Sequence, residues 1–377
     1  MIIKKLRQNN FRNIKDTQIE FSPGVNLIIG DNGQGKTNIL EALYLTLSGH
    51  SFRPAKSEHF INRTQDQGFI EVNVENKNFS DRVKIEFQNN SKKSFVNGKR
   101  NSSQNIQAQF PLVLFSPESL SAVKEGPELR RNLVDDLLIS HNPQNANLLA
   151  EFSKCLKSRN RLLKDHLKEV ISTKEFLDVL SSLDQSYLPL AAKLTSERIS
   201  ALRNIKSDFA KATSYILNLN NVEITLNYII SSQAAFDWKD KDVYYALLKR
   251  RDELQSAEKE SGTTLFGPQR HDIQFLFDQE DARYYCSQGQ QRALILAFKM
   301  AQMMYHYRVH KSYPVLLLDD VMSELDPAKR NFLISFLKQL DAQIILTTTD
   351  LEFPIAFGKE KLTIFKVKQG VVDKDGE

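Results

Sequence analysis

The sequence predicts an α/β fold built around a phosphate-binding loop and split by a mainly helical insertion. Three observations carry that prediction. The apolar run Val25-Asn26-Leu27-Ile28-Ile29 leads into Gly30-Asp31-Asn32-Gly33-Gln34-Gly35-Lys36-Thr37, which fits G-x-x-x-x-G-K-[ST]. A second apolar run, Val315-Leu316-Leu317-Leu318, ends in Asp319-Asp320. Between them, over residues 117–255, glycine is nearly absent and Leu, Lys, Ser and Glu recur in a helical pattern.

The elements follow in order. Residues 17–21 alternate like a half-buried strand, and Ser22-Pro23-Gly24 is a turn signal. Residues 25–29 read as a strand buried on both faces. A helix is expected over 38–47, with Ile39, Leu40, Leu43 and Leu47 on one face. Further strands are expected at 68–74 and 83–87, and Asn97-Gly98 is a strong hairpin signal. The helical arm holds one strand pair around 222–230, and sheet-like sequence returns after Gly262. Strands at 314–318 and 343–346, with helices over 290–304 and 328–340, give the strand–helix–strand pattern of a parallel unit. The charged tail after Val372 is expected to fray. Residues 1–118 and 305–377 are therefore assigned to the α/β lobe, and 119–304 to the helical lobe.

Composition narrows the class. Of 377 residues, 41% are hydrophobic and 26% charged, the balance of an ordinary globular protein. No stretch approaches the roughly 18 apolar residues of a membrane helix. The apolar start is too short for a secretory signal, so a cytoplasmic location is expected. Cys155 and Cys286 lack disulfide or metal spacing, and the seven histidines are scattered. A net charge of +5 permits a nucleic-acid partner without demanding one.

The motifs carry the chemistry. The glycines of residues 30–37 let backbone N–H groups face a phosphate, at the positive end of the following helix. Lys36 is expected to reach the β- and γ-phosphates of ATP, and the Thr37 hydroxyl to hold Mg²⁺. Asp319 is expected to bind the same Mg²⁺, and Asp320 to polarise the attacking water.

Three further segments resemble those of ABC-type ATPases. Ser287-Gly289-Gln290, within Ser287-Gln288-Gly289-Gln290-Gln291, is similar to their signature motif. Ser323-Glu324-Leu325-Asp326 is similar to their D-loop, and Thr347-Thr348-Thr349-Asp350 stands where that class keeps its switch residue. Within the class the chain resembles the RecF family of SMC-related proteins over essentially its full length. The matching segments are Asn10-Phe11-Arg12-Asn13, the run from Gly30 through Leu43, Ser51-Phe52-Arg53, Phe115-Ser116-Pro117-Glu118 and Gly126-Pro127-Glu128-Leu129-Arg130-Arg131. Gly267-Pro268-Gln269-Arg270-His271-Asp272, Gly289-Gln290-Gln291-Arg292 and residues 318–326 continue the match. Gln269 and His271 depart from the family, which usually has His and Asp there.

The resemblance implies an ABC-type head without a long coiled coil, and Arg12 as a further ATP-binding residue. It implies that Ser287, Gly289 and Gln290 meet ATP held by a second copy, so that ATP drives dimerisation on DNA. It also implies slow, DNA-stimulated hydrolysis, since Asp320 replaces the catalytic Glu and threonine the switch His of transporters. The expected role is recombinational repair and replication at single-strand gaps and junctions. Recombinase loading, SOS induction and RecR- and RecO-type partners go with it. A transporter ATPase subunit is the alternative reading, and it is opposed by the helical insertion and the missing switch His.

DNA contact is expected on a cationic helix. Lys154, Lys157, Arg161, Lys164 and Lys168 recur at three- and four-residue steps, beside an apolar stripe of Leu156, Leu163, Leu167 and Val170. Arg130-Arg131 and Lys92, Lys93, Lys99 and Arg100 are further candidates. A solvated lysine face competes with this reading.

Overall fold

The computed structural model describes residues 1–53, 57–62, 65–76, 79–88, 91–219, 222–350, 357–358 and 362–374. The chain forms two compact units. One comprises Met1–Ser121, Tyr215–Leu219 and Ser287–Glu377, and the other Ala122–Ser214 and Asn220–Cys286.

The first unit opens with β1 (Ile2–Phe11), β2 (Ile14–Glu20), β3 (Val25–Ile29) and α1 (Lys36–Ser48). Then come β4 (Gln67–Asn76), β5 (Phe79–Gln88), β6 (Ser91–Val96), β7 (Lys99–Arg100), α2 (Ser103–Gln109), β8 (Leu112–Phe115) and α3 (Pro117–Leu120). The second unit holds α4 (Pro127–His141), α5 (Asn145–Leu167), most of α6 (Thr173–Leu217), β9 (Ile224–Ile230) and β10 (Gln233–Ala234). It continues with α7 (Asp240–Ser261), β11 (Asp272–Phe277), β12 (Glu280–Asp281) and α8 (Ala282–Tyr285). The chain then returns to the first unit with α9 (Gln288–His310), β13 (Val315–Asp319), α10 (Pro327–Gln339), β14 (Ile344–Thr348), β15 (Leu362–Lys368) and β16 (Val371–Lys374).

The first unit contains two sheets. One is antiparallel, in the order β2-β1-β4-β5-β6-β7. The other runs β16-β15-β3-β14-β13-β8, with all but β16 parallel. Every residue of β3, β13 and β14 is buried, as expected of largely apolar strands inside a parallel sheet. Residues of α1 share one core with both sheets. That explains why α1 is buried nearly all round and not only on its expected face: an enclosed helix has no solvent side to keep polar.

The parallel order brings three strand ends together. Asp319 pairs in register with Thr347, and Thr347 with Ile28, one residue before the end of β3. The loop after β3 and the carboxylates after β13 therefore open on the same sheet edge, where α/β folds bind ligands.

Several expectations needed correction. The helix at 290–304 extends to His310 and belongs to the α/β unit, so the assigned boundary at 304 falls instead at Cys286. Its central turns are buried all round, Lys299 and Gln302 included, and pack on β8 and α3. The tail stays ordered to Lys374 because β16 pairs with β15, while residues 375–377 lie outside the described residues. The strand at 222–230 pairs mainly with β11, far along the chain, in a four-stranded sheet ordered β10-β9-β11-β12.

Candidate functional site

The loop over residues 30–37 takes the curled form that its glycines permit. Gly33 and Gly35 have φ of 79° and 116°, in a region that favours glycine. A side chain at Gly30 would strike the Val367 carbonyl of β15 at 2.4 Å. The far side of the loop is fastened by the β15–β16 turn, where Gln369 N–H donates to Gln34 Oε1 (2.6 Å) and Gly370 N–H to the Gln34 carbonyl (2.9 Å).

Lys36 is 6% exposed and donates to the carbonyls of Gly30 (2.6 Å) and Asp31 (2.9 Å). Burial pushes its pKa down, while Asp320, Asp319 and Asp31 oppose that shift. Opposite lies Asp319, whose Oδ1 accepts the hydroxyls of Thr37 and Thr347, each at 2.9 Å. The Thr347 oxygen in turn accepts the Asp320 N–H at 3.0 Å. Burial raises the Asp319 pKa, and its two threonine donors hold it back.

Asp320 adopts φ 46°, unusual for a residue with a side chain, just after β13. Its Oδ1 is buried without a hydrogen-bond partner among the described residues. Burial raises its pKa as well, and Lys36 opposes the shift. Thr37, Asp319 and Asp320 thus present hard oxygen donors, one of them unsatisfied, of the kind that suits a hydrated Mg²⁺ beside phosphates.

Arg12 sits at the rim of α1. Its Nε and Nη2 donate to the two carboxylate oxygens of Glu41 at 3.0 and 2.6 Å, and its Nη1 to the His59 carbonyl at 3.0 Å. Glu41 is fully buried and also accepts from Ser51 Oγ (2.6 Å) and Arg53 Nη1 (3.4 Å). Arg53 reaches Asn38 at 3.0 Å, and Asn38 reaches Asn13 at 2.7 Å. Glu41, Asn13 and Asn38 lie in segments that carry the family resemblance, but the sequence pattern gave none of them a role in the site. A glutamate on an apolar helix was the available signal.

Ser287 caps α9 through a reciprocal pair with Gln290: Gln290 N–H to Ser287 Oγ at 3.3 Å, and Ser287 N–H to Gln290 Oε1 at 2.8 Å. Ser287 is exposed. Among the described residues, Ser287, Gly289 and Gln290 make no hydrogen bond to the loop or to Asp319 and Asp320. The structure therefore joins residues 30–37 to Asp319, Asp320 and Thr347, and holds the signature residues as a separate group.

The five cations on and just after α5 (Lys154, Lys157, Arg161, Lys164 and Lys168) are all exposed, with Arg161 near Asp165 at 3.7 Å. The expected apolar stripe is corrected: Leu167 and Val170 are 51% and 67% exposed, because α5 ends at Leu167. Leu148, Phe152, Leu163 and Arg159 form its buried face. Arg159 was not foreseen. It donates to Asp184 (2.9 Å), Glu258 (3.0 and 2.7 Å) and Thr264 (3.0 Å).

Arg130 does not face a partner: it is 1% exposed and bonds Asp272 and the carbonyls of Ala122, Val123 and Glu125. Arg131 donates to the His271 carbonyl at 2.8 Å. In the hairpin, Lys92 bonds the Gly49 carbonyl, whereas Lys93, Lys99 and Arg100 are exposed.

Fold and site together define an ABC-type, SMC-like ATPase head. A family model described as the RecF/RecN/SMC N terminal domain matches residues 2–373. The DNA replication and repair protein RecF of Heliobacterium modesticaldum is 33% identical over 387 residues, covering 100% of both chains. That of Lachnoclostridium phytofermentans is 34% identical, covering 99% of this chain and 100% of its own. A solved structure described as the recombination mediator protein RecF-ATP in the RecFOR pathway aligns with TM-score 0.86 and 30% identity, over 99% of this chain and 97% of that one. An Smc head domain from Pyrococcus furiosus, at 15% identity and TM-score 0.56, shares the fold. The chain belongs to the RecF family of DNA replication and repair proteins. No helix among the described residues is long and apolar enough to cross a membrane.

Proposed function

We propose that this chain is an ATP-gated DNA-binding protein of recombinational repair and replication, in which ATP joins two copies and slow hydrolysis releases them. The observation that carries the reading is the junction of Thr37, Asp319 and Thr347 beneath a curled phosphate loop. Lys36 supplies a buried cation for the β- and γ-phosphates. Thr37 and Asp319 hold Mg²⁺, which when bound neutralises charge on the phosphate oxygens. Asp320, with its raised pKa and unsatisfied oxygen, accepts the proton of the attacking water.

Ser287 and Gly289 act on the nucleotide of a second copy, a reading supported by the exposure of Ser287 and by the absence, among the described residues, of a hydrogen bond from either to the loop of their own chain. The cations of α5 contact the DNA backbone, so binding is sequence-neutral and salt-sensitive. The RecFOR pathway named with the ATP-bound relative supports RecR- and RecO-type partners; action at single-strand gaps and a cytoplasmic location belong to the same proposal.

Two variants test the shared site. Lys36→Ala is expected to lose nucleotide binding and ATP-dependent DNA retention. Ser287→Arg is expected to bind ATP but remain monomeric by light scattering with ATP. Wild-type dimer levels in Ser287→Arg would sink the shared-site reading. Titration with duplex, single-stranded and gapped DNA, with and without ATP, identifies the preferred substrate.

A further inference from the structure

Gly289 is the second residue of α9, and its backbone has no positive φ that would call for glycine. Neither its conformation nor crowding within its own chain calls for glycine here, so the missing side chain leaves the start of α9 open to an outside group. A Cβ built there meets one atom within 4 Å among the described residues, the Lys329 Nζ at 3.4 Å.

Lys329 lies in the first turn of α10, and its side chain is only 15% exposed. A surface lysine usually extends its ammonium into water. This one lies against the signature glycine. Its partner is Asp326, whose Oδ2 accepts from Nζ and whose Oδ1 accepts the Lys329 N–H at 2.9 Å. The Asp326 side chain is 47% exposed, so this is a weak, exchangeable hold. The neighbouring cations are engaged elsewhere, Arg292 with Glu324 and Arg330 with Asp350. The opening residues of α9, Gln288, Gly289, Gln290 and Gln291, carry no charge.

We propose that Lys329 is a phosphate-contacting residue that acts in trans, its ammonium passing from Asp326 to the terminal phosphate of a nucleoside triphosphate held by the loop of a second copy. The inference rests on the reading above that Ser287 and Gly289 face a partner's nucleotide. It adds the cation that those two neutral groups lack. The ion pair with Asp326 keeps this face neutral before association, so two copies meet without like-charge repulsion.

The test is complementation between full-length variants. Lys329→Met keeps the length of the side chain and removes the charge. With ATP it is expected to bind nucleotide within about twofold of wild type but to need at least about tenfold more protein to dimerise, the effect of losing one charge-assisted hydrogen bond at each of the two shared sites. Lys329→Arg restores dimerisation. An equimolar mixture of Lys329→Met and Lys36→Ala contains heterodimers with one complete site, combining the intact loop of the first with the intact Lys329 of the second. Donor- and acceptor-labelled chains are expected to show ATP-dependent energy transfer in that mixture and not in either variant alone.

Unchanged dimerisation of Lys329→Met, with wild type responding to ATP, overturns the proposal alone. Lost dimerisation that the mixture does not restore also overturns it, since a purely structural lysine behaves that way. A wild-type chain that does not dimerise with ATP overturns the shared-site reading itself.

Discussion

Asp319 Oδ1 accepts the Thr37 hydroxyl at 2.9 Å, closing a gap of 282 residues between the phosphate loop and the second acidic strand. Thr347 donates to the same oxygen and, through its own oxygen, receives the N–H of Asp320. One threonine on the central strand thus fixes both acidic residues.

Thr347→Val tests that role. The substitution keeps shape and removes both hydrogen bonds, leaving a buried carboxylate short of a donor. The expected loss of stability is about 1–3 kcal/mol by urea denaturation. The Asp319 pKa, already raised by burial, rises further without this donor. ATP turnover is expected to fall more than ATP affinity, because Asp320 also loses its backbone anchor. Turnover equal to wild type would remove Thr347 from the site.

The phosphate loop and the acidic strand were legible because each is a local pattern: an apolar run followed by glycines, or by carboxylates. The spatial order β3-β14-β13 was not, since no local feature states which strand lies between two others. β1 escaped notice because a register shift between Ile3 and Lys5 breaks its period-two alternation. β8, β15 and β16 were also passed over, although Leu112–Phe115 is an apolar run like those already recognised. Glu41 and Arg159 were hidden for another reason. Charged residues on helices read as solvent-facing, and only long-range partners show otherwise. Arg159 lies among the cations of α5 but off the three- and four-residue spacing of the cationic face, and the sequence pattern gave it no role.

Arg159 gives a second prediction. Glu258 is 1% exposed and relies on Arg159 for charge balance, although it also accepts the Leu265 N–H at 2.8 Å. Arg159→Met leaves that carboxylate buried without its counter-ion, at an expected cost of about 3–5 kcal/mol. Adding Glu258→Met removes the stranded charge, so the double variant is expected to be more stable than Arg159→Met. Urea midpoints of the three proteins decide the matter. A double variant less stable than the single would show that Glu258 has support independent of Arg159.

The departure at His271 has a pH signature. His271 is buried beside Tyr228, whose hydroxyl lies 3.2 Å from Nδ1, and feels the charges of Arg198 and Arg131. Burial and those two charges push its pKa down from 6.5 to about 3. The unfolded chain therefore takes up a proton near pH 6.5 that the folded chain refuses until about pH 3. The stability from this source is complete above pH 6.5 and declines as pH falls through that window, by up to about 1.4 kcal/mol per pH unit. In His271→Asn the decline between pH 6.5 and 4 is expected to be shallower than in wild type by that amount. Parallel curves of urea midpoint against pH would show that His271 protonates in the folded chain.

The DNA surface yields the last prediction. Lys157 and Lys164 are exposed on α5, and neither has an ion-pair partner among the described residues. On duplex DNA, each phosphate contact adds about 0.9 to the slope of log affinity against log salt. If both lysines touch phosphates, Lys157→Glu with Lys164→Glu lowers that slope by about 2 in the presence of ATP. Lys99→Glu with Arg100→Glu makes the same measurement on the exposed end of the β6–β7 hairpin. A drop for the first pair and none for the second places the duplex on α5, and the reverse places it on the hairpin. An unchanged slope for the α5 pair returns that helix to an ordinary solvated face, since a lysine that does not neutralise a phosphate releases no counter-ion.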